Sequence, residues 1–193
     1  MRVAVISDTH LPRFGRSLPD PLVTAIGELR AELVLHLGDW TSEVGVEALE
    51  ALGRPFDGVA GNNDRPELVA RFGTGKVVSI GGARIGLTHG HLGPGRTMPE
   101  RALATFRGER VAAVLFGHSH IPSLDWQPAA ELSAGRRLLL NPGSPTDRRR
   151  EPRCSWALLE VTEGRVEATL LYLERLPPRR GRSVDRDPAA AET

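Results

Sequence analysis

Seven side chains carry the chemistry this chain could do: Asp8, His10, Asp39, Asn62, His89, His118 and His120. Asp8 and His10 lie just past the apolar run Val3-Ala4-Val5-Ile6. In extended chain, residues two apart point the same way, so a carboxylate and an imidazole can face one point. That pairing suits a divalent transition metal. Alone it is a weak signal, because Asp-x-His recurs by chance and reads equally as a hydrogen-bonded strand end. The other donors change the weighting: each sits in a short polar segment that closes an apolar run, as Gly38-Asp39, Gly61-Asn62, Thr88-His89 and Gly117-His118-Ser119-His120. Single buried histidines are common, but metal-competent side chains at successive run ends are not. Seven donors exceed what one ion with an open position needs and suit two ions, about 3.5–4 Å apart, sharing a carboxylate. Such a pair clamps two phosphoryl oxygens and acidifies a bridging water, whose hydroxide attacks phosphorus in line with the leaving oxygen. Nitrogen and oxygen donors without a thiolate favour Mn, Fe, Co, Ni or Zn over Mg or Ca, with manganese the first choice.

The elements that must position these residues follow from apolar periodicity. A buried strand is predicted up to Ile6, and a proline-rich loop follows it to Asp20. A helix then starts at Pro21 with Asp20 as its N-cap and Leu22, Ala25, Ile26 and Leu29 as its stripe. Leu33–Leu37 reads as a second strand, in which His36 points away from Leu35 and Leu37 and is a packing residue rather than a ligand. A helix over 44–52, a strand over 56–60 and a short helix from Pro66 complete a βαβαβα pattern, which implies parallel strands with right-handed crossovers. From Lys76 the texture changes to hairpins, with Gly81-Gly82 and Glu163-Gly164 as turns. A helix over 99–106, a strand over 111–116 and further strands near 123–126, 137–140, 153–161 and 165–172 follow. The expected architecture is an α/β protein with two sheets packed face to face and helices outside. The chemistry-bearing residues then lie past the carboxyl ends of the strands, where open α/β sheets bind ligands.

The ordered set Asp8-x-His10, Gly38-Asp39, Gly61-Asn62-x-Asp64, His89-Gly90-His91 and Gly117-His118-x-His120 resembles the calcineurin-like metallophosphoesterases. It is most similar to their small YfcE-type phosphodiesterases, whose fold the retromer subunit VPS29 shares; Asn141-Pro142-Gly143-Ser144 is a further match. The resemblance covers about residues 1–172. It implies an αββα sandwich of two mixed β-sheets flanked by helices, and a site for two divalent transition-metal ions. By that resemblance Asp8, His10, Asp39 and His120 hold the first ion, Asp39 bridges, and Asn62, His89 and His118 hold the second. One position departs from the pattern. After the metal-binding asparagine the family often has a histidine that assists the leaving group, or a cysteine in the small subgroup; here it is Asn63. An amide cannot titrate as an acid at neutral pH and can only hydrogen-bond the phosphate. General-acid help is worth roughly 10²–10⁴-fold, so the expectation is a modest enzyme that prefers activated or diester substrates. His91 is a second candidate for touching the phosphate, or a brace for its loop. Asp64 reads as a loop-ordering acceptor, Trp40 as a packing or pocket-shaping residue, and Arg148-Arg149-Arg150 as a solvated face more than an anion lure.

Length and composition bound the rest. The 193 residues suit one domain, expected over 1–175, and 176–193 read as a polar Pro/Arg-rich tail. A net charge of +1 gives no global field for nucleic acid or membrane, and the expected partner is a small-molecule phosphate ester. A nuclease would share the chemistry but normally needs a basic groove or capping elements. The single cysteine, Cys154, excludes an internal disulfide and reads as a buried structural thiol. With no visible signal peptide and no apolar run near the roughly 18 residues a membrane span needs, a cytoplasmic location is expected. The resemblance allows a homo-oligomer. It also allows a rival function, a catalytically weak or inactive scaffold that binds protein partners as VPS29 does; the complete donor set argues against it and Asn63 for it.

Overall fold

A computed structural model of the chain describes residues 1–174; the predicted tail over 176–193 lies outside them. The first half alternates strands and helices: β1 (Arg2–Ile6), α1 (Asp20–Glu28), β2 (Leu33–His36), α2 (Glu43–Glu50), β3 (Phe56–Gly58) and α3 (Pro66–Phe72). The second half is mostly strand: β4 (Gly75–Ile80), β5 (Ala83–Thr88), α4 (Met98–Thr105), β6 (Ala113–Leu115), β7 (Ser123–Pro128), β8 (Arg136–Asn141), β9 (Ser155–Thr162) and β10 (Arg165–Tyr172).

Two five-stranded sheets result, ordered β10-β9-β1-β2-β3 and β4-β5-β6-β8-β7. The expected parallel strands β1, β2 and β3 are present, in the register Val3 with Leu33 and Val34 with Phe56. The antiparallel pair β9–β10 extends that sheet on the far side of β1, so the sheet is mixed. Alternation along the strands explains the layers. Val3, Val5, Leu35 and Leu37 face Ile85, Leu87, Leu115 and Leu140 of the second sheet. Their in-between neighbours Ala4, Ile6 and Val34 turn outward onto Leu22 and Ile26 of α1, Leu49 of α2 and Leu68 of α3. On the other side Ala102 and Phe106 cover Val114 and Leu139. The architecture is αββα. Each fully buried Leu, Ile or Val contributes about 1.5–3 kcal/mol of transfer free energy, which is what clamps the two sheets together.

Element ends differ from expectation by a residue or two. Helix α1 begins at Asp20 with Pro19 in the cap position and no side-chain cap, so Asp20 is the first helical residue, not its N-cap. Pro19 already supplies the extended backbone that a cap position needs. At α4 the chain does use a capping box, Thr97 with Glu100. Strands β3 and β6 are three residues each, because the chain leaves the ladder early to build the loops that carry the site. Among the described residues no helix is long and apolar enough to cross a membrane.

Candidate metal centre

Six of the seven predicted donors fall into two groups at the carboxyl edge of the strands. Asp8, His10 and His120 form one, and Asp39, His89 and His118 the other, each with one ligand atom per residue within 4.8 Å of the others. In the first group His10 Nε2 lies 3.2 Å from His120 Nε2, and Asp8 Oδ1 is 3.4 Å from His120 Nε2. In the second, His89 Nε2 is 3.3 Å from both Asp39 Oδ1 and His118 Nδ1. Asp39 stands between the groups: its Oδ2 is 3.6 Å from His10 Nε2 while its Oδ1 faces His89. The seventh donor, Asn62, is exposed on the turn after β3. Its neighbours Gly61 and Asn63 approach Asp39.

Convergence is achieved by left-handed backbone rather than by strand alternation. Asp8, His10, Asp39, His118 and His120 all have positive φ, between 47° and 72°. Non-glycine residues seldom adopt this region, at a cost of about 1–3 kcal/mol each, and such strain concentrates at functional sites. The expectation that Asp8 and His10 point together because the strand continues is therefore corrected. The strand stops at Ile6, and the next residues are pinned to the loop after β2 by Asp8 N–H to the Gly38 carbonyl and His10 N–H to the Asp39 carbonyl.

The glycines that precede the donors have a steric reason. Gly38 has φ +97°, and a Cβ there would sit 2.6 Å from His89 Nδ1. A Cβ on Gly117 would overlap Ser7 Oγ and press on Asp8 Oδ2. Asp64 accepts three backbone N–H groups, from Asp39, Thr41 and Gly61, and so ties the β2 and β3 loops together. That is the loop-ordering role read from the sequence, although burial raises its pKa.

The imidazoles are oriented from behind. His120 Nδ1 donates to the Asp147 carbonyl at 2.6 Å, and His89 Nδ1 to the Leu37 carbonyl at 2.7 Å. In each case the proton held on Nδ1 turns Nε2 into the group, where it can serve as the ligand atom once it carries no proton of its own, the arrangement a metal-binding histidine requires. The Asn141–Ser144 segment braces both loops. Asn141 Nδ2 donates to the Gly117 carbonyl, and Ser144 Oγ donates to the Asp8 carbonyl at 2.8 Å. Thr146 Oγ1 donates to the carbonyl of Thr9. Sequence reading did not find Thr146 or the Asp147 carbonyl, since a backbone acceptor leaves no mark on residue type.

Electrostatics follow from this crowding. Burial disfavours charge on His89, but the hydrogen bond to Asp39 and the charges of Asp8 and Asp39 outweigh it and push its pKa up to about 9. Burial works against the charge on Asp39 too, yet its bonds to His89 and Asn63 hold the carboxyl well below the usual range. His10 and His118 are pushed down, chiefly by burial. The remaining predicted residues sort plainly. His36 is fully buried, stacked on Trp40 at 3.8 Å and bonded to Thr9 Oγ1, so it is a packing residue. Trp40 is buried as well, its indole N–H on the Val59 carbonyl and its ring stacked on Phe72. His91 lies beside the second group, 5.3 Å from the His89 ring and 6.1 Å from that of His118. Its Nδ1 is buried without a hydrogen-bond partner among the described residues. Arg148–Arg150 are exposed, and Arg149 is near enough to His118 to disfavour its protonation. Cys154 is buried.

The two groups fit divalent metal ions on their own geometry. Asp8 Oδ1 is a buried carboxylate oxygen with no hydrogen-bond partner among the described residues, and it points at three histidine nitrogens. Leaving such an atom unsatisfied costs more than almost any other polar burial unless a cation completes it.

The chain is similar to known proteins over most of its length. The family model for the calcineurin-like phosphoesterase superfamily domain matches residues 1–164. A probable metallophosphoesterase of Methanothermobacter thermautotrophicus is 37% identical over 147 residues, covering 76% of this chain and 78% of that protein. Among solved structures, wild-type Vps29 of Entamoeba histolytica complexed with zinc aligns with a TM-score of 0.65 at 25% identity, over 89% of this chain and 99% of that one. A predicted phosphoesterase of Streptococcus pneumoniae aligns with a TM-score of 0.64 at 26% identity, over 89% and 88%.

Proposed function

The chain belongs to the calcineurin-like phosphoesterase superfamily, and on that premise we propose that it is a dinuclear-metal phosphodiesterase acting on small or nucleotide-like phosphate esters. The observation that carries this reading is the pair of three-donor groups flanking one carboxylate, Asp39, with each of its oxygens turned toward a different group. Asp8, His10 and His120 would hold one ion and Asp39, His89 and His118 the other, with Asn62 assigned to the second as well. Manganese is the first choice for both, with Fe, Ni, Co or Zn as alternatives. When bound, such a pair supplies Lewis acidity toward the phosphoryl oxygens and acidifies a water.

The chain's own residues do the rest. The Leu37 and Asp147 carbonyls keep His89 and His120 in the tautomer that presents Nε2. His91, whose ring lies 6.1 Å from that of His118 beside the second group, is our candidate for hydrogen-bonding the phosphoryl group. Asn63 donates to Asp39 instead of facing outward to a phosphate, so the leaving group receives no proton from it. This supports the preference for esters with good leaving groups.

Likeness to Vps29 keeps a protein-binding scaffold as the second reading. Against it stand five strained, mostly buried donors, a cost a retired site would not have to carry. The test is hydrolysis of bis(p-nitrophenyl) phosphate by chelator-stripped protein reloaded with Mn, Ni, Co or Zn. At least one metal should restore turnover and EDTA should abolish it. Turnover no better than that of the metal solution alone, for every metal, would favour the scaffold.

A further inference from the structure

Asn63 stands where the family often has a histidine or cysteine, and it does something neither of those could do in the same way. Its backbone N–H donates to Asp39 Oδ1 at 3.0 Å, and its side-chain Nδ2 donates to Asp39 Oδ2 at 2.7 Å. One residue therefore grips both oxygens of one carboxylate. An ionised carboxylate only accepts, so the amide must present its NH₂ to it. Each carboxylate oxygen has about two lone-pair sites, and Asn63 takes one on each. The remaining site on Oδ1 faces His89 Nε2 at 3.3 Å, and Oδ2 lies 3.6 Å from His10 Nε2. The terminal torsion of an aspartate is broad and two-fold, so an ungripped carboxylate at the junction of two groups can turn away from either. The loop that carries Asn63 is itself fixed, because Asp64 Oδ2 holds the N–H groups of both Gly61 and Asp39.

We propose that Asn63 is a positioning residue, a two-point clamp that holds the Asp39 carboxylate with one oxygen committed to each three-donor group. This rests on the dinuclear reading above. It gives position 63 a function in place of the acid it lacks: the amide fixes the shared ligand. Cysteine has no comparable donor, and an imidazole cannot reach with the same short fork.

The experiment compares the unaltered chain with Asn63→Leu and Asn63→Ala, both of which keep the backbone N–H and lose the side-chain donor. Asn63 is exposed, so both variants should fold. Mn²⁺ is titrated calorimetrically into chelator-stripped protein, the loaded samples are examined for the exchange-coupled paramagnetic resonance of a manganese pair, and the melting temperature is measured without metal. The clamp predicts that the weaker Mn²⁺ site loses about 10–100-fold in affinity, as removal of a ligand-orienting partner typically does. The coupled signal should then need correspondingly more Mn²⁺, the stronger site should keep its affinity, and the metal-free melting temperature should fall by about 3–12 °C for the one charge-assisted bond lost from Asp39. Equal two-site binding in all three proteins would overturn the clamp and leave the dinuclear reading intact. An equal loss of affinity at both Mn²⁺ sites would overturn it in favour of general loop stability. Failure of the unaltered chain to bind Mn²⁺ would overturn the dinuclear reading and the clamp together.

Discussion

His89 is the residue through which protons and metal compete. Buried beside Asp8 and Asp39, it keeps its proton up to about pH 9 in protein stripped of metal. A metal ion takes the neutral imidazole, so binding must expel that proton. At about pH 7.5 uptake of the second ion should release about one proton from this site, and the apparent affinity should rise roughly tenfold per unit up to about pH 9. Calorimetry in buffers of different ionisation heat measures the release directly; buffer-independent heats would contradict it. The sign for stability follows from the same shift. A histidine raised from 6.5 to about 9 contributes stability fully present below 6.5 and lost as pH rises through 9. Stripped protein should therefore weaken across that window, and loaded protein should not. Which side chains would meet was readable from residue type and position, as with Asp8, His89 and His120. Asn62 has the expected type and position too, on the exposed turn after β3. The protonation of His89 was not readable, because it depends on distances to two aspartates from other strands.

At the scale of elements, the short strands β3 and β6 and the loops after β1, β2 and β6 form one hydrogen-bonded unit. Asn141–Ser144 is its keystone, since Asn141 holds the β6 loop through Gly117 and Ser144 holds the β1 loop through Asp8. Ser144→Ala leaves the buried Asp8 carbonyl with only a long bond from Thr146 Oγ1 at 3.4 Å. It should cost about 1–3 kcal/mol in stability and weaken the first metal group about 10–100-fold. Thermal melts and Mn²⁺ titration read the two effects. Strands and helices were legible because alternation and 3.6-residue stripes record which face is buried, as in Val3 to Ile6 and Leu22 to Ile26. The left-handed turns at Asp8, His10, Asp39, His118 and His120 were not, because cross-loop bonds between segments far apart in sequence impose them. Only the glycines ahead of Asp39 and His118 hinted at the crowding.

Over the described residues the molecule is a sandwich whose two donor groups lie at one edge. Among the described residues, two apolar layers on the outer faces and one between the sheets hold ten strands and four helices in place around a polar rim of loops. Such a frame can carry five strained residues because the cost is spread over a large buried core. Metal should add to that stability by mass action, about 2.7 kcal/mol at a free concentration one hundred times the dissociation constant. The central claim is that two ions, divided by Asp39, make this edge a phosphodiesterase. Its most direct test is the rate of bis(p-nitrophenyl) phosphate hydrolysis as Mn²⁺ is added to stripped protein in counted equivalents. The rate should climb and level off at two equivalents per chain. A plateau at one equivalent, or no rise at any number, would contradict it.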